Sequence, residues 1–365
     1  MEYLGEVVIS TSKDDPNIYI WEPPTLSLLA HFTETISLHK QSLTLSNNTI
    51  IAPQGHKSLI NYYRFGKEAP EKKSSTLEQV SAIISYNWMI LAGTVQGQLM
   101  LWDINTGVLM HIWKPHFNKV TALQIIEGFF ISASEDASIQ VFAVSQVLAG
   151  NYMPFRNFSQ HLMPITDMAV LGTSIFSCSR DRSFKVYRNW EFFYEKFVNC
   201  PLNAIEVSEQ GNNKLYVAGD DGKVYFNRNN EILTWDIDQR PITNLVLTTN
   251  EQFLLASTDK VFVLNPQTGQ KIKTFSIHKG EVVSLFCIPR PSDFTEQMLT
   301  HQPVKILKKQ LEGEPDTIGF EFQRKKFEPN EENKEDQNIA ANSEEIERLN
   351  QINGHLYRLW IEHCI

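Results

Sequence analysis

Apolar residues along this chain fall into short runs that alternate with polar positions and stop at Gly, Asn, Asp or Ser, the pattern of strands joined by tight turns. Glu6–Ser10, Ile18–Trp21 and Leu28–Phe32 form a first unit that lacks a fourth strand. A second unit runs through Ser42–Leu45, Thr49–Pro53 and Leu59–Phe65, after which the charged stretch Lys67–Thr76 is predicted to be an exposed loop. Val80–Ser85, Met89–Ala92, Leu99–Trp102 and Leu109–Trp113 make a full four-strand unit. The next begins with Val120–Ile125, Phe129–Ser132 and Ile139–Phe142 and reaches its outer strand through an irregular connection, Ala143–Met153. Ile165–Val170, Ile175–Cys178, Phe184–Tyr187 and Phe192–Phe197 follow, then two more units within Leu202–Trp235 and Ile242–Phe275. Val282–Ile288 is left over, able to complete the first unit.

The turns between second and third strands sit near Asp15, Gly55, Gln96, Asp136, Asp181, Asp221 and Asp259, at intervals of 40, 41, 40, 45, 40 and 38 residues. A WD repeat has a period of about 40 to 45 residues. An aromatic residue stands six positions after the turn in four units, as Trp21, Trp102, Phe142 and Tyr187. Leu99–Gly107 spells out the signature: Leu99, Leu101 and Asp103 on one face of a strand, Met100, Trp102 and Ile104 on the other, and Asn105-Thr106-Gly107 as the turn. Asn227 and Leu264 stand where Trp is expected in the sixth and seventh units. The predicted fold class is all-β: a seven-bladed WD-repeat β-propeller closed by a C-terminal strand, followed by a linker and a C-terminal coiled-coil helix. The domain boundaries are 1–289 for the propeller, 290–341 for a linker and 342–364 for the helix.

Three histidines, His116, His161 and His278, each precede a first strand. His161, Ser177 and Asp181 imitate a catalytic triad, but His116, Ser132 and Asp136 repeat the set one blade earlier. Repetition by the scaffold points to buried polar chains within the blades, with Trp21 and Trp102 as their strand-three partners, rather than to a hydrolase. No Gly-x-Ser-x-Gly elbow, phosphate-binding Gly-rich loop or His-Glu-x-x-His motif is present, so no catalytic, cofactor-binding or metal residue is assigned and the chain is expected not to be an enzyme.

Composition refines this. The net charge of −9 disfavours binding of nucleic acid by bulk electrostatics, although eight acids and one Lys between Glu328 and Glu347 supply most of the excess. Cys178, Cys200, Cys287 and Cys364 show no paired spacing and are expected to be reduced thiols. With no apolar window long enough for a membrane span and no signal-like N-terminus, the chain is expected to be soluble and intracellular, with no membrane partner.

In the linker, Ile318, Phe320 and Phe322 alternate as a short strand would, and Glu328–Asp336 is an acidic run. Asn342 and Glu345 then form a helix start. Ile346, Leu349, Ile352, Asn353, Leu356, Leu359 and Trp360 make an apolar face with one polar position suited to setting register in a coiled coil. Gly354 weakens it by about 1 kcal/mol, so the helix needs a partner, its own propeller or another chain.

The opening Glu6-Val-Val-Ile-Ser10 with Ile20-Trp21-Glu22, the run from Leu91-Ala-Gly to Leu101-Trp-Asp-Ile-Asn-Thr-Gly107, the segment His161-Leu-Met-Pro-Ile-Thr-Asp167, and the ending Glu345-Ile-Glu-Arg-Leu-Asn-Gln-Ile-Asn-Gly-His-Leu-Tyr357 resemble one family. It is the WD-repeat subunit of the nuclear assembly complex that acts on precursors of the large ribosomal subunit. The resemblance implies a non-enzymatic scaffold in ribosomal RNA processing, located in the nucleus (nucleolus and nucleoplasm) and requiring no cofactor. The implied partners are helical-repeat scaffold proteins, the large dynein-like ATPase that remodels the pre-ribosomal particle, and a second copy held through the C-terminal helix. The alternative is a WD-repeat adaptor in another complex, such as one for replication licensing or ciliary transport.

Overall fold

A computed structural model describes residues 5–46, 49–126, 128–208, 214–228, 231–290 and 307. The chain divides into two compact units, Met1–Glu314 and Pro315–Ile365, and the second lies outside the described residues. The first contains seven antiparallel sheets of four strands each, the blades of a propeller. Blade 1 joins the two ends of the ring: Val282–Pro289 is its innermost strand, paired with Glu6–Ser12, then Ile18–Trp21 and Leu28–Phe32 outside. Blades 2 to 7 follow in chain order, with first strands at Thr44–Ser46, Val80–Tyr86, Val120–Ile126, Ile165–Leu171, Leu202–Val207 and Asn244–Leu247.

Because strand side chains alternate, each blade offers one apolar face to the preceding blade and one to the next. In blade 3, Met100, Trp102 and Ile104 pack with Tyr62 and Ile60 of blade 2, whereas Leu99 and Leu101 pack with Leu123 and Phe130 of blade 4. Seven such apolar clusters fill the seven junctions. The last is built from Leu255, Val261 and Val263 of blade 7 against Val8, Trp21 and Leu285 of blade 1. Trp21 is fully buried there and stacks on Phe275 with ring centroids 4.5 Å apart. Burying a side chain of this size is worth roughly 2–3 kcal/mol, so each junction is a substantial share of the net stability.

The strand-three position predicted to carry an aromatic faces the preceding blade throughout. Leu264 occupies it in blade 7, at the same register shift against the outer strand as Trp102 and Trp21, and it comes early because three residues separate the paired Ser257 and Val261 where five separate Gly93 and Leu99 in blade 3. In blade 6, Asn227 fills it with polar contacts instead: Lys196 of blade 5 donates to its Oδ1 at 3.1 Å, and its amide donates to the Tyr194 hydroxyl at 3.4 Å.

One expectation is overturned. Lys67–Thr76 is not a loop throughout, since Lys72–Ser75 is the outer strand of blade 2. Its Lys-Lys-Ser-Ser sequence has no apolar alternation: among the described residues it pairs with one strand, Leu59–Arg64, with Lys73 and Ser75 exposed and Ser74 buried. The irregular connection in blade 4 contains a short helix, Val144–Leu148, before the outer strand Arg156–Phe158. Of the region 290–341, Arg290 and Leu307 are described; Leu307 is buried against Tyr62, its carbonyl accepting a hydrogen bond from Ser74. The predicted strand at 318–322 and the helix at 342–364 lie outside the described residues.

The turns between second and third strands of blades 3, 4, 5 and 6 each contain a left-handed residue, Gly97, Ala137, Arg182 and Gly222. In blade 3 this is Gly97, at φ +85°, where a Cβ would run into the carbonyl oxygens of His116 and Asn118. Gly172 is also left-handed, at φ +55°, yet nothing stands within 4 Å of the same position. Gly97→Ala is therefore expected to cost about 2 kcal/mol or more, and Gly172→Ala about 1 kcal/mol, the backbone penalty alone. Urea unfolding of the two variants checks this, and equal losses would remove the role assigned to the close approach.

Candidate functional site

The polar residues picked from the sequence assemble at one end of the ring, where the turns between strands two and three meet the connections between blades. In blade 5, His161 Nε2 lies 2.8 Å from Ser177 Oγ, and Nδ1 lies 2.8 Å from Asp181 Oδ2. Blade 4 repeats the arrangement: His116 Nε2 to Ser132 Oγ at 2.8 Å and Nδ1 to Asp136 Oδ2 at 3.1 Å. Each carboxylate does more than hold the imidazole. Asp181 accepts from the backbone of Leu162 at 3.1 Å and from Ser183, and Asp136 from the backbone of Phe117 at 3.1 Å and from Ser138. Burial alone would raise the two carboxyl pKa values, but these donors together with the histidine hold both well below the usual range. An ionised Asp accepts only, so each Nδ1–H donates to it and each Nε2 accepts from the serine.

The connectivity matches a Ser-His-Asp triad, but the polarity of access is reversed. In a hydrolase the nucleophile meets substrate and the carboxylate is buried behind the histidine. Here Ser177 and Ser132 have no exposure, and the aspartates lie toward the rim. Tyr187 hydrogen-bonds to Ser177 from the interior and completes the chain. The two sets brace their blades.

His278 joins only part of such a chain. Its Nε2 lies 2.7 Å from Ser10 Oγ, which also accepts from the Trp21 indole at 3.0 Å. The turn residue Asp15 bonds Asn17 and Tyr19 instead, leaving His278 Nδ1 buried without a hydrogen bond. Burial pushes the His278 pKa down to about 4, so the ring is neutral at physiological pH. Trp102 packs in the junction between blades 2 and 3, and the neighbouring Asp103 closes the turn through Asn105 N–H and the Thr106 hydroxyl, both at 2.8 Å. The helix positions Ile346, Leu349, Ile352, Asn353, Leu356, Leu359 and Trp360 lie outside the described residues.

A second polar assembly lies on the axis and has no signal in the sequence. Lys40 and Gln41 precede blade 2 and reach across the ring. The Gln41 carbonyl accepts from Ile83 of blade 3 at 2.9 Å, and its side-chain oxygen accepts from Leu123 of blade 4 at 2.7 Å. Lys40 Nζ donates to Asp167 of blade 5 at 2.5 Å and to the Asn203 carbonyl of blade 6 at 3.1 Å. Two adjacent residues thus tie four blades together. Beside them is an axial cavity of about 510 Å³ bounded by the innermost strand of every blade. Glu206 faces it, and burial, reinforced by the Asp167 charge, pushes its carboxyl up to about 8. Among the described residues, no group of three or more His, Cys, Asp or Glu is placed to hold a metal ion, and no helix is long and apolar enough to cross a membrane.

The polar chains generate a pH dependence with a definite sign. A carboxyl depressed in the folded state contributes stability above the unfolded range, near pH 4, and loses it as the pH falls further. Asp181→Asn is expected to lower stability by about 1–3 kcal/mol at pH 7 and to flatten the acid limb of the stability curve. Denaturant titrations between neutral pH and pH 3 check this, and an unchanged acid limb would contradict it.

No protein-family model matches the sequence. The chain is 25% identical over 304 residues to the protein ROOT INITIATION DEFECTIVE 3 of Arabidopsis thaliana, covering 75% of this chain and 69% of that one. It is 19% identical over 386 residues to the pre-rRNA-processing protein IPI3 of Candida albicans, covering 81% and 76% respectively. Against the pre-rRNA-processing protein crb3/ipi3 of Schizosaccharomyces pombe, identity is 21% over 206 residues, covering 51% and 46%. Among solved structures, the WD40 β-propeller domain of Doa1 superposes with a TM-score of 0.57 at 16% identity, covering 69% of this chain and 86% of that domain. The designed protein Ika8 gives 0.60 at 20% identity, covering 76% and 86%. The chain has the WD40 propeller fold.

Proposed function

We propose that this protein is a WD-repeat ribosome-biogenesis factor that takes part in the processing of precursor ribosomal RNA as a non-enzymatic scaffold. The alignment with the Candida albicans pre-rRNA-processing protein carries this reading, because it spans 81% of the chain rather than a few interchangeable blades. The site chemistry is consistent with it: the polar sets that imitate catalytic triads have buried serines, and a rigid ring with differing blade edges suits the joining of other macromolecules.

The finer reading follows the sequence. The propeller, 1–289, is the platform for helical-repeat partners of a nuclear assembly complex that works on the large-subunit precursor beside a dynein-like ATPase. The linker, 290–341, leads to the helix at 342–364, which pairs with a second copy through Leu349, Leu356 and their neighbours around Asn353.

Native isolation of the tagged full chain is expected to bring down large-subunit precursor RNA with its assembly proteins, and depletion to leave that RNA incompletely processed. Recovery of components of another assembly with no precursor RNA would replace this reading with that of an adaptor elsewhere.

For the helix, Leu349→Asp combined with Leu356→Asp is expected to halve the mass measured by light scattering. A monomeric unaltered chain, or a double variant that remains dimeric, would refute pairing through this face.

A further inference from the structure

The two most exposed large apolar side chains among the described residues are Phe117, 89% exposed, and Leu162, 88% exposed. They are equivalent residues of adjacent blades, each directly following the histidine of a buried polar chain. Each is pinned through its backbone: Phe117 N–H donates to Asp136 Oδ2 and Leu162 N–H to Asp181 Oδ2, both at 3.1 Å. Two apolar side chains are therefore held out from a rigid rim at corresponding places, with Met163, 48% exposed, beside the second. At His278, the other histidine with this placement, the following residue is Lys279. An apolar residue is not a requirement of the scaffold.

Phe117 also forms one wall of a groove of about 500 Å³ between the turn at Val95–Gln96 and the connection holding Lys114 and Lys119. Lys119 pairs with Glu135 at 3.3 Å, whereas Lys114 has no carboxylate within ion-pair distance among the described residues. In blade 5, Arg180 pairs with Asp220 at 2.8 Å, and Arg182, next to the aspartate that pins Leu162, is likewise without a described carboxylate partner. Each exposed apolar side chain thus has a cation nearby whose charge is not neutralised locally.

We propose that the rim of blades 4 and 5 is a docking surface for an extended acidic segment of a partner protein, whose apolar side chains pack on Phe117 and Leu162 while its carboxylates reach Lys114 and Arg182. Charge complementarity selects this occupant: apolar contacts supply the anchors, and the two unneutralised cations favour acidic flanks. A nucleic acid strand fits less well, because Leu162 and Met163 offer no aromatic face for stacking. The inference names the partner chemistry of the scaffold proposed above and rests on that reading only for its biological setting. Its test contains no ribosomal component, so the two fail separately.

The probe is an array of short synthetic peptides rich in Glu and carrying two Leu or Phe at varied spacing, with control sets in which Ser replaces the apolar residues or Lys replaces Glu, and with oligouridylate as a nucleic acid control. Full-length protein is expected to be retained by the acidic apolar set and not by the three controls. Phe117→Ser with Leu162→Ser is expected to weaken retention by about thirtyfold or more, as removal of an anchoring side chain worth about 2 kcal/mol would. Its thermal midpoint should stay unchanged, since neither side chain is buried. Lys114→Glu with Arg182→Glu should lose the acidic set at the same folded stability. Retention of no peptide, equal retention of the Ser set, undiminished retention by the double Ser variant, or preference for oligouridylate would each overturn the proposal.

Discussion

The fold depends on the pairing of Val282–Pro289 with Glu6–Ser12, because no blade can cover both of its own faces. Each junction between blades is an apolar cluster shared by two sheets, so an open ring would leave two faces exposed to water. Closure puts Trp21, Val8 and Leu285 of blade 1 against Leu255, Val261 and Val263 of blade 7 and removes both liabilities at once. The strand pairing fixes the register, and Ser12 donates to the Lys279 carbonyl at 2.8 Å across 267 residues of sequence. Chain entropy resists such a contact only logarithmically with loop length, so the cost is modest once the intervening blades stack. The kinetic consequence is larger, because a pairing of this sequence separation raises the contact order, and high contact order goes with slow folding.

Closure sets the circumference, and the polar assemblies set the inner geometry. Apolar packing between blades is non-directional, whereas hydrogen bonds fix orientation, and Ser81, Thr166 and Thr243 each donate to a backbone carbonyl of the next blade. Lys40 and Gln41 fix four blades relative to one another, with the charge of Lys40 balanced by Asp167, which in turn accepts from Ile205 N–H of blade 6 at 3.1 Å. At the rim, the His116 and His161 chains link the entry to a blade with the turn of that same blade. Burying polar groups carries a penalty unless each finds a partner, and in blades 4 and 5 nearly every donor and acceptor does. Of the three histidine chains, that of blade 1 is incomplete, since Asp15 is engaged elsewhere and His278 keeps one unpaired ring nitrogen.

Local repetition made the ring legible from sequence. The turn rhythm located all seven second-to-third-strand turns, and the face reading of Leu99–Ile104 matches the packing of Met100, Trp102 and Ile104 toward blade 2 and of Leu99 and Leu101 toward blade 4. The histidine chains were visible because their members recur at fixed offsets. Lys72–Ser75 escaped because its Lys-Lys-Ser-Ser sequence has no apolar alternation. The Lys40–Asp167 pair escaped because its members lie 127 residues apart and neither belongs to the repeat. Phe117 and Leu162 were hidden for the opposite reason: an apolar residue beside a first strand resembles core, and only the fold reveals that both stand in solvent.

These hidden features share a cause that bears on function. Residues that build the scaffold must recur from blade to blade, so a repeat pattern exposes them and they carry little information about one protein's role. Residues that serve a role unique to this chain break the repeat. The aspartates of blades 4 and 5 do both, since the carboxylate that locks His161 also pins the backbone of Leu162, and Asp136 does the same for Phe117. A side chain displayed on a backbone fixed in this way loses little conformational freedom when a partner binds, which lowers the entropic cost of association. The buried chain that imitates a catalytic site thereby contributes to recognition by what it holds still.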